Sequence, residues 1–415
     1  MDLKEYHDAL VVWLHKVYKD RLRPAKGAIH HPFVDPGADY EDKLWDWDAY
    51  FSCIGFAYLR DKDPAVGLHA KGCVDNFIEH QGADGHIPYC ITTNEGHVPA
   101  SDAVRATESP RNSSKPLPAQ FALLVTDQFK CADAQWLKSI RHNLESHIQH
   151  WFDSQGVDGG LLTWRSHRGS GADNHPAYFQ RPFNTVADPF LNCLMVRECR
   201  ALAEIHARTG GDPDPWRRRA EQLSDAINSK LWDPIDETYY CIDLGHADPG
   251  PVRNNAHWVV PLKFRSYTMV MPLFTKIATP ERARKIVDKF VNARDQLRSP
   301  HGIYSLAPCE PAYRLFADGN PSDWLGPVWV VSTYIVFRSL LNYGFRKEAY
   351  GLAEDHLACL SADYKSNGCL HEYYNPETGE GMTNPGFVNW NSCATLMLEE
   401  LSEGYDTTSW EKSTV

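Results

Sequence analysis

The chain has 415 residues and a formal net charge of −12 at pH 7, from 42 lysines and arginines against 54 aspartates and glutamates. Phosphate backbones are held by concentrated basic faces, which no stretch supplies, so nucleic acid is excluded as a partner. The length exceeds one ordinary core and calls for two domains or for one architecture that adds layers around a ring.

Taken in chain order, the first element is an amphipathic helix, because Tyr6, Leu10, Trp13, Leu14 and Val17 recur at three- and four-residue steps. Acids and lysines interrupt its apolar residues, so it does not read as a signal peptide, and a cytoplasmic protein is expected. Further helices are predicted over 48–60, 64–79, 118–129, 134–152, 186–209, 214–231, 280–293, 322–343, 346–361 and 387–401, with one or two more between 255 and 274. The most apolar stretch, 324–341, carries Gly326, Pro327, Ser332, Thr333 and Arg338 and does not read as a membrane span.

Between paired helices lie long segments rich in Gly, Pro, Asp, Asn and aromatics: 81–115, 155–185, 232–251, 298–321 and 367–385. Loops of that length in a compact protein usually carry function or are disordered, and 13 tryptophans with 19 tyrosines argue against disorder. A ring of helical hairpins with its loops gathered at one end fits both observations. The expectation is an all-α fold, an (α/α)6 barrel forming a single catalytic domain over 1–415; a two-domain helical arrangement is the rival.

Eleven scattered cysteines without a CxxC pair read as reduced core residues of an intracellular protein. No HExxH, P-loop, Gly-rich dinucleotide turn or EF-hand loop occurs, so no metal, nucleotide or flavin cofactor is expected. Two other stretches carry chemistry. SGADNHP, from Ser170 to Pro176, and HEYYNPETGEG, from His371 to Gly381, each place one carboxylate, Asp173 and Glu372, among small and aromatic residues. Cleaving an acetal requires one carboxyl to protonate the departing oxygen and another to activate water or attack carbon.

Sugar rings present apolar faces edged by hydroxyls, and aromatic platforms beside short polar side chains match them. LWDWDAYF supplies Trp45 and Trp47 beside Asp46 and Asp48; NPSDWLGPVW supplies Trp324 and Trp329 beside Asp323; Phe387, Asn389, Trp390 and Asn391 form another such edge. Blander readings stand beside these. Asp173 in an Asp-Asn-His-Pro stretch suits a turn cap, Glu372 an exposed loop acid, and Asp46 or Asp48 a helix cap.

Together the blocks SGADNHP, NPSDWLGPVW, EYYNPETGEG and WDWDAYF resemble the signatures of glycoside hydrolase family sixty-three, and span most of the chain. The likeness in length and in GIYSLAP…NPSDWLGPVW is to its short, single-barrel members, which hydrolyse mannosylglycerate or glucosylglycerate. The resemblance implies an inverting α-glycosidase with Asp173 as general acid and Glu372 as general base. It further implies Trp47, Asp48 and Trp329 around the sugar, Tyr40, Trp45 and Gln120 toward the glycerate, and a small-molecule glycoside as substrate. Gly171, Trp324 and Trp390 complete the expected binding residues. Because short members are often multimeric, a homo-oligomer is expected as well.

The chain departs from the family pattern where Arg168, Gly169 and Ser170 precede Gly171 in place of an acidic context, and where His175 replaces a serine. Arg111, Lys115, Arg168 and Arg181 are candidate partners for a substrate carboxylate. Two other functions fit the same elements: a trehalase-like or oligosaccharide-trimming α-glucosidase with a neutral leaving group, and a helical-ring sugar epimerase using His30, His31, His86, His97 or His301. Inversion demands carboxyls roughly 6.5 to 9.5 Å apart, with room for a water.

Overall fold

The computed structural model describes residues 2–94, 111–157, 159–245, 259–316 and 322–402. Among them, helical segments alternate between an outer and an inner shell. The outer members are α1 (Leu3–Val17), α3 (Ala65–Glu79), α5 (Ala134–Gln155), α7 (Asp214–Lys230), α9 (Pro280–Ile286) and α11 (Arg346–Asn367). The inner members are α2 (Asp46–Phe56), α4 (Pro118–Leu124), α6 (Pro189–Thr209), α8 (Met271–Phe274), α10 (Val330–Asn342) and α12 (Met397–Leu401), the last preceded by a 3-10 stretch over Asn389–Leu396.

Side-chain chemistry sorts the shells. All eleven residues of α2 are buried, whereas in α7 only Ala220, Leu223, Ala226 and Ile227 are, at the spacing of a single apolar stripe. The ring closes where α2 packs against the Asn389–Leu396 stretch: Gly55 lets Ser392 and Cys393 come so near that a β-carbon would lie 2.1 Å from the Ser392 hydroxyl. The result is an (α/α)6 barrel. Its buried apolar residues run from Leu3 to Met397 as one cluster.

Three helix predictions shift for identifiable reasons. The helix expected from residue 186 begins at Pro189, because the Asp188 carboxylate accepts the Leu191 amide at 2.9 Å as an N-cap and Val186–Ala187 pairs as a strand with Cys241–Asp243. The helix expected over 322–343 begins only at Val330: Pro327 has no amide hydrogen to give, and Gly326 passes the Tyr313 ring so closely that a β-carbon would meet it at 2.5 Å. The 387–401 stretch is 3-10 over Asn389–Leu396 and α-helical only over Met397–Leu401.

Strands are two or three residues long and serve to tie loops together. Lys43–Trp45 pairs with Cys90–Thr92, and Val328–Trp329 pairs with Tyr373–Tyr374 so that Trp329 faces Tyr373 across the ladder. These two ladders lie directly beside the residues singled out above. Among the described residues, no helix is long and apolar enough to cross a membrane.

Candidate active site

The N-terminal wall is built where the Lys43–Trp45 strand hands over to α2. Asp46, in the first turn, accepts the Lys115 amide at 2.7 Å and its ammonium at 3.2 Å, and that ammonium lies 4.7 Å from the centre of the Trp47 ring. This corrects the expectation that Lys115 serves a substrate carboxylate, since its charge is already neutralised inside the protein. Trp47 meets Trp390 edge-on at 5.0 Å and Trp324 at 5.7 Å. Asp48 is buried beside them and accepts the side-chain amide of Asn389. Burial, and then the charge of Asp46, push its carboxyl up to about 7, although Lys115 and Asn389 pull the other way.

Glu372 is not an exposed loop acid: its exposure is 2 %. The motif around it folds as a hairpin, with the Asn375 side chain accepting the amides of Glu377 at 2.9 Å and Thr378 at 3.1 Å. The closing Gly381 is required because a β-carbon there would sit 2.2 Å from the His371 ring. That ring is in turn anchored to buried Asp363 at 2.9 Å, and Tyr374 donates to the same oxygen at 2.9 Å, so both neighbours of the Glu372–Tyr373 pair are fixed. The Glu372 carboxylate accepts the Tyr40 hydroxyl at 2.9 Å and the Asn384 side-chain amide at 3.1 Å. Burial pushes it up to about 7, the charges of Asp48 and Asp173 add to the rise, and the two donors oppose it.

Asp173 follows a short helical turn, His167–Ser170, that ends at Gly171 with φ 78°. A β-carbon on Gly171 would lie 2.7 Å from the Trp47 indole and 3.3 Å from the Lys115 ammonium, so glycine lets this loop rest on the N-terminal wall. Asp173 itself is half-buried. Its neighbour Asn174 reaches across to the loop before α10, donating to Asp323 at 3.0 Å and accepting the Trp324 amide at 2.7 Å. The Tyr40 hydroxyl is pushed up by burial and then by the charges of Glu372, Asp48 and Asp173, so all three carboxyls lie within electrostatic reach of it. Tyr40 also meets Trp45 at 6.2 Å and Phe387 at 5.9 Å.

The other expected residues divide. Trp324 and Trp329 are wholly buried and stack on each other at 4.1 Å with 7° between planes, and Trp47 and Trp390 are buried beside them, so none of the four is an open platform. Gln120 does not face the cluster. Fully buried between α4 and α6, it donates to the Pro116 carbonyl at 2.8 Å and accepts from Arg197 at 2.9 Å, which corrects its assignment to the glycerate side. Trp164 packs on Trp151 at 6.1 Å and Phe190 at 6.5 Å.

Arg181 is paired with Asp243 at 2.7 Å, and Arg111 leans on His86 at 2.9 Å, while Arg168 is exposed. Among the described residues the candidate histidines do not converge: His30 and His31 share Glu79, His86 bonds the Asn112 carbonyl at 3.1 Å, and His301 packs on Gly379. His97 lies outside the described residues. His175 stacks on Tyr178 at 4.6 Å and is held neutral by burial, down to about 3.

Sequence reasoning passed over Asn384, whose left-handed backbone (φ 52°) aims its amide at Glu372, and the Asn174–Asp323 link. It also passed over Arg165, a half-buried guanidinium whose Nε has no partner among the described residues. Only the Asn384-Pro385-Gly386 turn signal hinted at any of these.

Buried carboxyls gathered around tryptophans at the loops of an (α/α)6 barrel define the class, a glycoside hydrolase domain. The chain belongs to the family described as the mannosylglycerate hydrolase MGH1-like glycoside hydrolase domain, which it matches over residues 41–390. Mannosylglycerate hydrolase from Rubrobacter radiotolerans is 29 % identical over 220 residues, 53 % of this chain and 44 % of that protein. The namesake from Thermus thermophilus is 27 % identical over 227 residues, 54 % of this chain and 48 % of that one. The match thus spans just under half the length of these relatives. Among solved structures, a GH63 mannosylglycerate hydrolase from Thermus thermophilus in complex with glucose superimposes with a TM-score of 0.70 at 20 % identity, covering 92 % of this chain and 98 % of that one. The neutral trehalase Nth1 from Saccharomyces cerevisiae follows the same fold with a TM-score of 0.62 at 15 % identity, covering 93 % of this chain and 76 % of that chain.

Proposed function

We propose that this protein hydrolyses an α-linked glycoside of glycerate, mannosylglycerate or glucosylglycerate, with inversion at the anomeric carbon. Asp173 is the general acid that protonates the glycosidic oxygen, and Glu372 is the general base that takes a proton from the attacking water. One barrel over 1–415 carries the whole reaction, in keeping with the single cluster of buried apolar residues. The observation that carries this reading is the setting of Glu372: buried, oriented by Tyr40 and Asn384, and within electrostatic reach of Asp48 and Asp173.

Each group has a physical reason to suit its step. Two neutral donors steady the ionised form of Glu372, while burial keeps its affinity for a proton high enough to accept one from water near neutral pH. Asp173 stands on a half-buried turn, open enough to meet a leaving oxygen. Asp48, whose carboxylate accepts the Asn389 amide, is the acceptor for hydroxyls of the cleaved sugar. The names of the matched relatives support glycerate as the aglycone, and among the described residues Arg165 and Arg168 are candidate cations to meet its carboxylate.

One observation favours a second reading. Lys115 and Arg181 are spent on internal carboxylates, as an α-glucosidase with a neutral leaving group would allow. Purified protein given mannosylglycerate, glucosylglycerate and neutral α-disaccharides decides between them. Sugar released from a glycerate glycoside, appearing first as the β-anomer by NMR, is the expected result. Cleavage of the disaccharide alone rejects the glycerate assignment, and first release of the α-anomer rejects inversion.

A further inference from the structure

Asp323 lies on the loop leading into α10 and is wholly buried. Its Oδ1 accepts the Asn174 side-chain amide at 3.0 Å and the Leu325 backbone amide at 3.0 Å, and its carbonyl accepts the Trp329 indole at 2.8 Å. Asn174 completes the clasp, since its own oxygen takes the Trp324 amide at 2.7 Å. Both ends of one side-chain amide are therefore tied to two consecutive residues of another loop, which leaves Asn174 one orientation and fixes the backbone beside Asp173. The stacked pair Trp324 and Trp329 makes the far side of the clasp rigid.

The second oxygen, Oδ2, is buried without a partner among the described residues. Leaving a buried carboxylate oxygen unbonded costs stability; burial raises the proton affinity of Asp323, while the bonds from Asn174 and Leu325 and the charge of Arg314 lower it.

We propose that Asp323 is a positioning residue for the general acid: through Asn174 it holds Asp173 at the height of the glycosidic oxygen. This rests on the reading of Asp173 as the acid. Protonation of a leaving alkoxide demands close placement of the acid, whereas departure of fluoride needs no proton. Disturbing the clasp therefore harms cleavage of an O-glycoside and spares cleavage of a glycosyl fluoride, in which the C–F bond breaks, fluoride leaves with the electron pair and water supplies the new oxygen.

The test compares the full-length protein with Asp323→Ala, Asn174→Ala and Asp323→Asn on mannosylglycerate or glucosylglycerate and on the matching α-glycosyl fluoride. The first two variants should lower kcat on the glycerate glycoside about thirtyfold to hundredfold, with KM within about twofold and the fluoride reaction within about threefold of wild type. Asp323→Asn keeps an oxygen at the Oδ1 position and should recover most of that loss. Equal losses on both substrates, or no loss on either, overturn the proposal. If wild type cleaves neither substrate, the functional reading fails instead. The clasp is then judged by thermal unfolding of the two alanine variants and their double: effects that do not add sustain it, and additive effects overturn it.

Discussion

The loops carrying Glu372 and Asp173 are anchored to the barrel by different kinds of contact. Glu372 is held directly: a hairpin fixes its backbone, and Tyr40 and Asn384 grip both carboxylate oxygens. The turn that carries Asp173 is fixed on both sides of it: Gly171 rests on Trp47, and Asn174 is clamped between Asp323 and Trp324. A base that must hold a water in one place gains from rigid donors. An acid that must follow a departing oxygen gains from a firm backbone beneath it.

The sharpest way to break this comparison is to remove each carboxylate. Glu372→Gln and Asp173→Asn should each lower kcat about a hundredfold to ten-thousandfold with modest change in KM, as steady-state kinetics would record. An epimerase would be indifferent to either. Next in size, Lys115→Met leaves Asp46 buried without its counter-ion and should cost about 3 to 5 kcal/mol of stability in denaturant unfolding. A small effect there would mean that Lys115 is available to a ligand after all.

Gly171→Ala puts a β-carbon against Trp47 at a left-handed position and should cost about 1 to 3 kcal/mol, read as a lowered Tm. The smallest effect sharpens the comparison rather than breaking it. Tyr40→Phe removes one donor from Glu372 and should reduce kcat/KM about tenfold. With that donor gone the ionised form loses support, so the carboxyl, now pushed up to about 7, rises further. A base works only when ionised, so the acidic limb of the kcat/KM profile should move to higher pH; a limb that stays in place would show that Tyr40 does not tune Glu372.

Much of the barrel was legible in advance because amphipathic periodicity is a local property: α3, α5 and α7 begin within one residue of their predicted starts. The misses came where a neighbour decides. Asp188 and Pro189 start α6 later than its apolar run suggests, and the passage of Gly326 against Tyr313 delays α10 to Val330. At the site, Tyr40, Asp48, Asp173 and Glu372 lie within electrostatic reach of one another and Trp47 packs on Trp390. Gln120 instead went to the interior, where Arg197 and the Pro116 carbonyl claim its amide.

What the sequence determined by itself was the alternation of shells and the identity of the chemical groups, because side-chain spacing and residue type are written along one dimension. Only the tertiary structure decided which groups are already satisfied. Lys115 meets Asp46 across 69 residues and Tyr40 meets Glu372 across 332, and no local pattern encodes such pairings. Burial decided the rest, since withdrawing water from a carboxylate at one end of the barrel raises its affinity for a proton whatever residues stand beside it in the chain.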